Sequence, residues 1–433
     1  MIISTGPRCH ETPLCDSTDR FCFKRIWRSS LKPAFSVMAK VLSDKATVVL
    51  LLFFCIMGVT FYLNLSRFSQ HCAQPNSDAI DGQTPNAIDR SAVDEKKVAY
   101  LSQLLKDRLE AVTEGGPGIP KLVCEETNST APCKSRVPCD RPLESRMPED
   151  RIRELLSTPT LQLSSDQLNR ILSLSEDIPE NDLIIASAIS SNHFDEMQAM
   201  FKNLHEVVFP RLKNFGMVLF DLGLSEKQRN ITLKNCRCQI VPFKFELFPP
   251  HMSDLRCFSW KPLIFRSVIA KARKLIVYQD SSIRWNENFA EAFERALKYG
   301  QQTICPKYSD NVPSNSLKQT LDYLNEDVCN MRMFHELQAG IQMNRHDPLV
   351  IEALLDPWCR CALEDSCMCP IKPSAVISCR GNHLHRCHRF DQSAFNTIMA
   401  KIYGVERYKM AVPEKKMPLK ILRGDKNSVY FKE

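Results

Sequence analysis

The amino-acid sequence predicts an α/β fold in which a mostly parallel sheet is sandwiched between helices. Short, nearly continuous apolar runs alternate with stretches in which apolar residues recur at helical spacing. This alternation is typical of parallel sheets that are covered by helices on both faces. The composition agrees, because 44% of the 433 residues are hydrophobic and 25% are charged, as in globular proteins.

Four apolar runs predict strands of this sheet, at Leu183–Ile189, Met217–Phe220, Gln239–Phe243 and Leu275–Tyr278. Helices are predicted between and after them at Phe194–Val208, at 225–235, behind Pro262 and at Phe289–Tyr299. We therefore interpret residues 181–405 as one globular domain. Ligands of such sheets bind beyond the carboxyl ends of the strands, so the polar residues that follow the strands are the site candidates.

The segment before this domain predicts a membrane anchor. Residues 46–65 lack any charge, and twenty residues at about 1.5 Å rise span the hydrocarbon core as one transmembrane helix. Residues 1–45 carry eight Lys or Arg but four Asp or Glu, so the positive-inside rule makes them a cytosolic tail. We expect a single-pass type II protein of the secretory pathway, in the Golgi or at the plasma membrane, with its C-terminal part outside the cytosol.

Two further segments flank the domain. Residues 66–180 are polar and interrupted by prolines, which predicts a stalk with short helices at about 94–113 and 149–174. Residues 406–433 are interpreted as a basic C-terminal tail. Over half of the net charge of +7 comes from the first 45 residues, so nucleic-acid binding is not expected. The glycines form no G-x-G-x-x-G or P-loop pattern, which argues against dinucleotide-binding oxidoreductases, P-loop kinases and most methyltransferases.

Cysteine usage agrees with a location outside the cytosol. Fifteen cysteines follow the predicted membrane helix, in a compartment where disulfides persist. Because this number is odd, at least one thiol is free or joins another chain, and Cys72 in the stalk is the candidate for a disulfide-linked homodimer. The cysteines between 359 and 369 could bind zinc, but their Cys-x-Cys spacing favours disulfides. Asn128 and Asn230 begin glycosylation sequons.

Three polar segments are candidates for chemistry. Asp280 follows the fourth predicted strand, where it could bind Mg²⁺ or Mn²⁺ and through it phosphate oxygens, or instead pair with Arg284. Asp391 lies at the start of a predicted helix and could act as a general base or only cap that helix. Lys261 lies at the start of another helix, where it could bind a pyrophosphate or remain solvated.

Together these segments resemble a known family. The resemblance covers about 180–405 and rests on the segments Ser259–Pro262, Tyr278–Arg284, Gln338–Ile341, 357–363 and His388–Ala394. They are similar to those of the family called domain of unknown function 1647, whose members are single-pass membrane proteins. That family in turn resembles the nucleotide-sugar glycosyltransferases of GT-A fold, so the resemblance implies a GT-A-like fold and a nucleotide sugar as the donor substrate.

The resemblance also implies roles for particular residues. Asp280 matches the first Asp of the Asp-x-Asp motif that lies beside the donor pyrophosphate and its Mn²⁺, but Ser282 occupies the place of the second. One carboxylate then remains for Mn²⁺ or Mg²⁺. A late histidine from the cluster His383, His385 and His388, with His388 as the candidate, could complete the metal site. Alternatively Lys261 and Arg284 hold the donor phosphates without a metal, or the domain is inactive.

Two contacts on the substrate side are implied as well. Asp391 resembles the late acidic residue that faces the acceptor, which makes it the base if the reaction inverts. Asp221 and Asn192 are the implied nucleoside contacts. The expected function is a lumenal glycosyltransferase that moves a sugar from a nucleoside diphosphate to a glycan or protein hydroxyl. The alternative is a catalytically inactive membrane-anchored module that binds glycans or proteins, which the missing second carboxylate favours.

Overall fold

The computed structural model describes residues 94–114, 143, 146–306, 311–372, 384–385, 387–425 and 429–432. The predicted membrane helix at 46–65, Cys72 and Asn128 lie outside these residues. No described helix combines the length and the apolar character that crossing a bilayer requires.

A seven-stranded sheet forms the centre of the described fold. In chain order the strands are β1 (Asn181–Ile189), β2 (Phe215–Asp221), β3 (Gln239–Pro242), β4 (Ala272–Gln279), β5 (Ile283–Trp285), β6 (Gln301–Cys305), β7 (Ile341–Arg345), β8 (Ala411–Pro413) and β9 (Leu419–Ile421). The order across the sheet is β3-β2-β1-β4-β7-β6-β8, while β5 and β9 form a separate antiparallel pair. Within the described sheet β7 runs antiparallel to β4 and β6, and the other neighbours are parallel, so the predicted mostly parallel sheet is confirmed.

Helices cover both faces of this sheet. The described α-helices are α1 (Glu95–Glu114), α2 (Pro148–Ser157), α3 (Ser165–Ser173), α4 (Phe194–Asn203), α5 (Glu226–Asn235), α6 (Trp260–Ile269), α7 (Phe289–Tyr299), α8 (Lys318–Tyr323), α9 (Val328–Met331), α10 (Asp356–Ala362), α11 (Asp365–Met368) and α12 (Asp391–Tyr403). Helices α6, α10 and α12 share one hydrophobic core with one face of the sheet. Helices α4 and α7 share a second core with the other face.

The strand β1 shows why an unbroken apolar run predicts a central strand. Ile184 and Ala186 belong to the first core, whereas Ile185 and Ile189 belong to the second. Successive side chains of a strand point to opposite faces, so a strand between two helical layers has to be apolar at nearly every position. The four predicted strands are all present, with bounds that differ by up to three residues.

Three helices differ in detail from their predictions. The predicted helix at 149–174 is divided into α2 and α3, and Pro159 starts a 3₁₀ turn between them. A proline ring disfavours helical geometry at the residue before it, which ends α2 at this point. The helix α6 begins at Trp260, two residues ahead of Pro262, because the first turn of a helix tolerates a missing N–H. The last turn of the predicted Phe194–Val208 helix is a π-helix at Leu204–Val208.

Two segments outside residues 181–405 also pack onto the described domain. The apolar face of α1 enters the first core through Val98, Leu101, Leu105 and Val112. On the same helix, the buried Arg108 guanidinium lies 2.8 Å from Asp347 Oδ2 and 3.1 Å from Tyr403 Oη. In the C-terminal segment, β9 pairs with β5 directly after the turn that carries Asp280. The described residues on both sides of 181–405 are therefore part of the same packed structure.

The cysteine-rich segment contains disulfides. Cys361 bonds to Cys367 and Cys257 bonds to Cys369, so three of the four cysteines between 359 and 369 are paired as predicted. The fourth, Cys359, is a buried free thiol. A further disulfide joins Cys236 to Cys238, and Cys305, Cys329 and Cys387 are also disulfide-bonded. Disulfides rather than zinc therefore fix this part of the described fold.

Candidate active site

Three predicted site residues meet beyond the carboxyl end of β4. The Lys261 ammonium lies 3.3 Å from Asp280 Oδ1 and 3.1 Å from Asp391 Oδ2. Lys261 belongs to the first turn of α6, Asp280 directly follows β4, and Asp391 is the first residue of α12. We call these three residues the charged cluster. It lies at the sheet edge where ligands of such folds bind.

The geometry of Asp280 depends on the reversed strand β7. Because β7 is antiparallel to β4, the start of β7 lies beside the end of β4, with Gln279 paired to Ile341. The Asp280 N–H donates to the Gly340 carbonyl oxygen at 2.8 Å. A Cβ at Gly340 would come within 2.6 Å of Asp280 Oδ2, so only glycine leaves room for this carboxylate.

The three charged side chains differ in how deeply they are buried. The side chains of Lys261 and Asp391 are 4% and 7% exposed, whereas that of Asp280 is 38% exposed. Burial acts to lower the pKa of Lys261, but the charges of Asp280 and Asp391 outweigh it and raise that pKa above its usual value. Burial, and then the negative charge of Asp280, raises the pKa of Asp391 against the opposing effect of Lys261. The lysine is thus a fixed cation, and Asp391 holds a proton more readily than an exposed aspartate.

Aromatic rings surround the ammonium. Its Nζ lies 5.2 Å from the ring centre of Phe258, 5.8 Å from that of Trp260 and 5.5 Å from that of Tyr278. These distances permit cation–π attraction, which is stronger where water is excluded. Burial, together with the charges of Asp280 and Asp391, raises the pKa of Tyr278 well above its usual value, so its hydroxyl stays neutral.

The backbone is strained at two phenylalanines next to the charged cluster. Phe258, two residues before α6, has φ +53°, and Phe390, directly before α12, has φ +47°. Bulky residues rarely adopt positive φ, which costs about 1–3 kcal/mol at each position. The two rings lie 6.5 Å apart, so both strained residues border the same place. Strain of this kind is concentrated at functional sites in proteins, which supports a functional reading of the cluster.

One oxygen of the cluster has the Lys261 ammonium as its partner and room for another. Asp391 Oδ2 is buried and lies 3.1 Å from the Lys261 ammonium, with which it forms an ion pair. A carboxylate oxygen can accept more than one hydrogen bond, so this oxygen could accept a further one from a ligand or water. A hydroxyl group that reached it would supply that bond and, in a reaction, a proton to take up.

Arg284 and Ser282 lie close in sequence to Asp280 but are engaged elsewhere. The Arg284 guanidinium donates to the Ser281 carbonyl at 2.5 Å and the Glu196 carbonyl at 3.2 Å, and it pairs with Asp425 at 3.4 Å. Asp280 therefore pairs with Lys261 and not with Arg284. The Ser282 carbonyl accepts the Leu422 N–H at 2.7 Å and anchors the turn to the C-terminal segment.

Asp221 and Asn192 lie at the neighbouring strand ends of the same sheet edge. Asp221 Oδ1 accepts the N–H groups of Gly223 at 2.8 Å and Leu224 at 2.7 Å, and Arg229 Nε donates to Oδ2 at 2.8 Å. This carboxylate thus shapes its own loop. Asn192 is exposed in the loop after β1, where Ser190 Oγ donates to its side-chain oxygen at 2.6 Å. The predicted glycosylation residue Asn230 is exposed on α5.

The residues present do not fit the predicted metal site. His388 is buried, and its Nδ1 accepts the Leu317 N–H at 3.3 Å while its Nε2 lies 3.2 Å from the Met368 carbonyl. Both ring nitrogens therefore have protein partners. Burial lowers the pKa of His388 to about 4, so the ring is neutral at physiological pH. Among the residues that the structure describes, no three His, Cys, Asp or Glu side chains are grouped as metal ligands, and a lysine lies between the two carboxylates.

Glu196 is a supporting residue that the sequence did not reveal. Its carboxylate accepts a hydrogen bond from Ser281 Oγ at 2.6 Å and another from the Gly424 N–H at 2.8 Å, and it lies 3.2 Å from His193. Burial raises its pKa, but these bonds outweigh burial and lower the pKa to about 2. Because Ser281 follows Asp280, Glu196 fixes the turn that carries the exposed carboxylate.

A cleft of about 500 Å³ lies elsewhere in the described fold. It is lined by residues of α3, by the segment Leu247–His251 and by Leu363–Asp365. No member of the charged cluster lines it. Its lining includes no carboxylate next to a lysine of the kind seen in the cluster, so the candidate site remains at the end of β4.

Comparison with protein families supports the resemblance predicted from the sequence. The model of the family described as a protein of unknown function, DUF1647, matches residues 155–266. This confirms the predicted resemblance over a segment that runs from before β1 into α6 and includes Lys261, but ends before Asp280 and Asp391. No curated protein matches the chain.

Among solved structures, the chain is similar to several glycosyltransferases. The galactosyltransferase LgtC in complex with donor and acceptor sugar analogs is 13% identical over 41% of this chain and 59% of its own, with a TM-score of 0.28. Core-mannan synthase A from Aspergillus fumigatus, in an Mn/GDP form, is 8% identical over 55% and 74%, with a TM-score of 0.36. Mouse xyloside xylosyltransferase 1 is 12% identical over 54% and 84%, with a TM-score of 0.30.

Proposed function

We propose that this protein transfers a sugar from a nucleoside-diphosphate donor to a hydroxyl group of a glycan or protein. The observation that carries the proposal is the meeting of Lys261, Asp280 and Asp391 beyond the carboxyl end of β4. These residues lie up to 130 positions apart in the sequence. Three separate elements thus bring these side chains together, at the carboxyl end of the strands, where sheets of this class bind ligands, and this supports the proposal.

In this proposal Asp391 is the general base. Its Oδ2 is buried, is paired with the Lys261 ammonium and belongs to a carboxyl group whose pKa is raised, first by burial. A base works best when its pKa lies near the operating pH. Asp391 would take the proton of the acceptor hydroxyl while that oxygen attacks the anomeric carbon. The bond between the sugar and the diphosphate then breaks, the diphosphate leaves with the electron pair, and Asp391 ends protonated.

Asp280 would position the sugar in this reaction, and Lys261 would offset the negative charge of the carboxylates. Asp280 is the most exposed member of the cluster, so its oxygens would accept hydrogen bonds from sugar hydroxyls. Lys261 bridges the two carboxylates and offsets part of their charge. Asp221 and Asn192 remain the proposed nucleoside contacts, with Asp221 acting through the loop that its carboxylate shapes.

The proposal includes a compartment outside the cytosol, the Golgi lumen or the cell surface. It is supported by the disulfides of the described residues, since such bonds persist in oxidising compartments. The membrane anchor at 46–65 belongs to the same proposal. Glycosidase-sensitive glycans on Asn230 in the full-length protein would support this topology.

The test measures binding and transfer by the full-length protein, purified in a mild detergent. A panel of nucleoside-diphosphate sugars is screened for binding by calorimetry and for transfer to glycan and peptide acceptors. The variant Asp391→Asn should bind the donor within about threefold of wild type, yet transfer about 10²–10⁴-fold more slowly, as expected when a general base is removed. Asp182→Asn is the matched control, because Asp182 also pairs with a lysine, Lys274, at 2.7 Å but has a side chain that is 35% exposed, against 7% for Asp391. Absence of donor binding by the wild-type protein would refute the proposal.

A second candidate function is a binding module without catalysis. With two carboxylates and one ammonium, the ionised cluster carries one net negative charge, which repels a diphosphate. This charge suits the hydroxyl groups of a glycan better than phosphate oxygens. Glycan binding that is lost in Asp280→Asn, together with no donor binding, would favour the module over the transferase.

A further inference from the structure

The charged cluster has the layout of a cation site whose cation is part of the chain. A divalent ion at the end of a strand is held by carboxylate oxygens from different elements. Here the oxygens of Asp280 and Asp391 both approach one ammonium, at 3.3 Å and 3.1 Å from Lys261 Nζ. The two carboxylates are thus already bridged by a positive charge.

The ammonium is held firmly in this position. The Lys261 side chain is 4% exposed, and all ten residues of α6 are buried. Rings of Phe258, Trp260 and Tyr278 lie within 5.8 Å of Nζ. Because the stem and the charge are both enclosed, the lysine cannot swing into solvent and leave the carboxylates free.

A divalent ion cannot share the position. An ion bound to the same two oxygens would lie within a few ångströms of the ammonium, and two like charges at that distance repel strongly where water is excluded. The predicted second ligand, His388, has both ring nitrogens engaged by backbone groups. Neither the space nor the ligand set of the described residues therefore favours a metal.

We propose that Lys261 is a built-in cation, whose ammonium fills the position between Asp280 and Asp391 that a divalent ion would otherwise take. Two consequences follow. The wild-type site works without a bound divalent metal, and removal of the ammonium turns the two carboxylates into a metal site. The role of this cation in sugar transfer rests on the proposed function, whereas the occupancy of the position by Lys261 does not.

The test compares Mn²⁺ binding by full-length variants, measured by electron paramagnetic resonance of free Mn²⁺. Lys261→Met keeps the apolar stem and removes the charge. We expect it to gain a saturable site that binds Mn²⁺ at least about tenfold more tightly than wild type, because two facing carboxylates lose their cation. The gain should disappear in Lys261→Met/Asp280→Asn. A second readout is Tb³⁺ luminescence sensitised by Trp260, whose ring lies 5.8 Å from the vacated position.

The matched control is Lys274→Met. Lys274 pairs with Asp182 at 2.7 Å, as Lys261 pairs with its two partners, but its side chain is 64% exposed. Removal of this surface lysine should create no Mn²⁺ site, since one solvated carboxylate that also pairs with Arg273 is a poor ligand set. Lys261→Met should also melt at a lower temperature than wild type, and Mn²⁺ should raise its melting temperature while leaving that of wild type unchanged.

Two results would overturn the inference. One is Mn²⁺ binding by wild type that Asp280→Asn abolishes, and the other is a folded Lys261→Met variant without a new site. If Lys261→Met does not fold, Lys261→Gln takes its place. The comparison of Mn²⁺ binding by wild type and Asp280→Asn tests the inference even if neither variant folds. These measurements need no donor sugar, so the inference can hold even if the protein transfers no sugar. Sugar transfer that requires no added metal would support both the inference and the proposed function.

Discussion

Gly340 and Asp280 are in close contact across the boundary between two antiparallel strands. The Asp280 N–H donates to the Gly340 carbonyl at 2.8 Å, and its carboxylate occupies the space that a side chain at Gly340 would fill. The contact exists because β7 starts where β4 ends. A glycine outside the charged cluster thus determines where the exposed carboxylate of the cluster lies.

The variant Gly340→Ala is expected to displace Asp280 from Lys261. The added Cβ would lie 2.6 Å from Oδ2, a distance that the carboxylate can relieve only by moving. We expect donor binding to weaken about tenfold, with a loss of unfolding free energy of about 1–2 kcal/mol. Calorimetry and urea unfolding measure the two effects. Gly216→Ala is the control, because its Cβ would meet the movable Asn181 side chain at the amino end of the strands, away from Asp280. Unchanged donor binding in Gly340→Ala would contradict this role of Gly340.

His388 should make stability depend on pH between about 6.5 and 4. Burial lowers the pKa of His388 from its ordinary value of 6.5 to about 4 in the folded state. The unfolded state therefore binds the proton first, so the stabilisation is complete above pH 6.5 and is lost as the pH falls toward 4. The loss is at most about 3 kcal/mol. Urea unfolding of wild type and His388→Gln at pH 7, 5.5 and 4.5 tests this, and parallel profiles would show that His388 does not titrate this way.

Glu196 should make stability depend on pH over a separate, more acidic range. Its ordinary pKa of 4.5 falls to about 2 in the folded state, because hydrogen bonds outweigh burial. Its contribution is therefore present above pH 4.5 and is lost as the pH falls toward 2, by at most about 3 kcal/mol. The difference in unfolding free energy between wild type and Glu196→Gln should shrink across this window. A constant difference between pH 5 and 2.5 would rule out the lowered pKa.

The disulfide between Cys257 and Cys369 should be the more stabilising of two neighbouring bonds. It closes a sequence separation of 112, whereas Cys361–Cys367 closes a separation of 6. In the chain-entropy model, loss of the long bond costs about 5 kcal/mol and loss of the short one about 2 kcal/mol. Urea unfolding of Cys257→Ser/Cys369→Ser and of Cys361→Ser/Cys367→Ser tests this order. Equal losses would mean that native-state strain, and not loop closure, dominates.

The sequence predicted each member of the charged cluster by its place beside a regular element. Asp280 follows an apolar run, while Lys261 and Asp391 begin helices, and these are local signals. Their mutual contact could not be predicted locally. The partner of Asp280 is Lys261 rather than Arg284, because the turn directs β5 toward β9 and takes Arg284 to Asp425. Such a choice depends on a strand pairing more than 130 residues away.

Other features that could not be predicted from the sequence have similar causes. In α1 the apolar residues recur at helical spacing, which predicts a helix, but nothing local shows that Arg108 will reach Asp347. The family resemblance implied His388 as a metal ligand, yet the fold buries its ring against the Met368 carbonyl. Side-chain patterns specify elements well, whereas burial of a single polar group depends on what packs over it.

Phe258 and Phe390 limit how this protein can be made more robust. Both hold a positive φ that glycine adopts freely, but Phe390 is buried in the first core, so loss of its ring would cost about 3–5 kcal/mol and relief of the strain would return only about 1–3 kcal/mol. Glycine at Phe258 would also remove one of the three rings that lie around the Lys261 ammonium and admit water to it. The backbone strain at these two positions is therefore retained because the rings it places are needed, one for packing of the core and one for the surroundings of the ammonium.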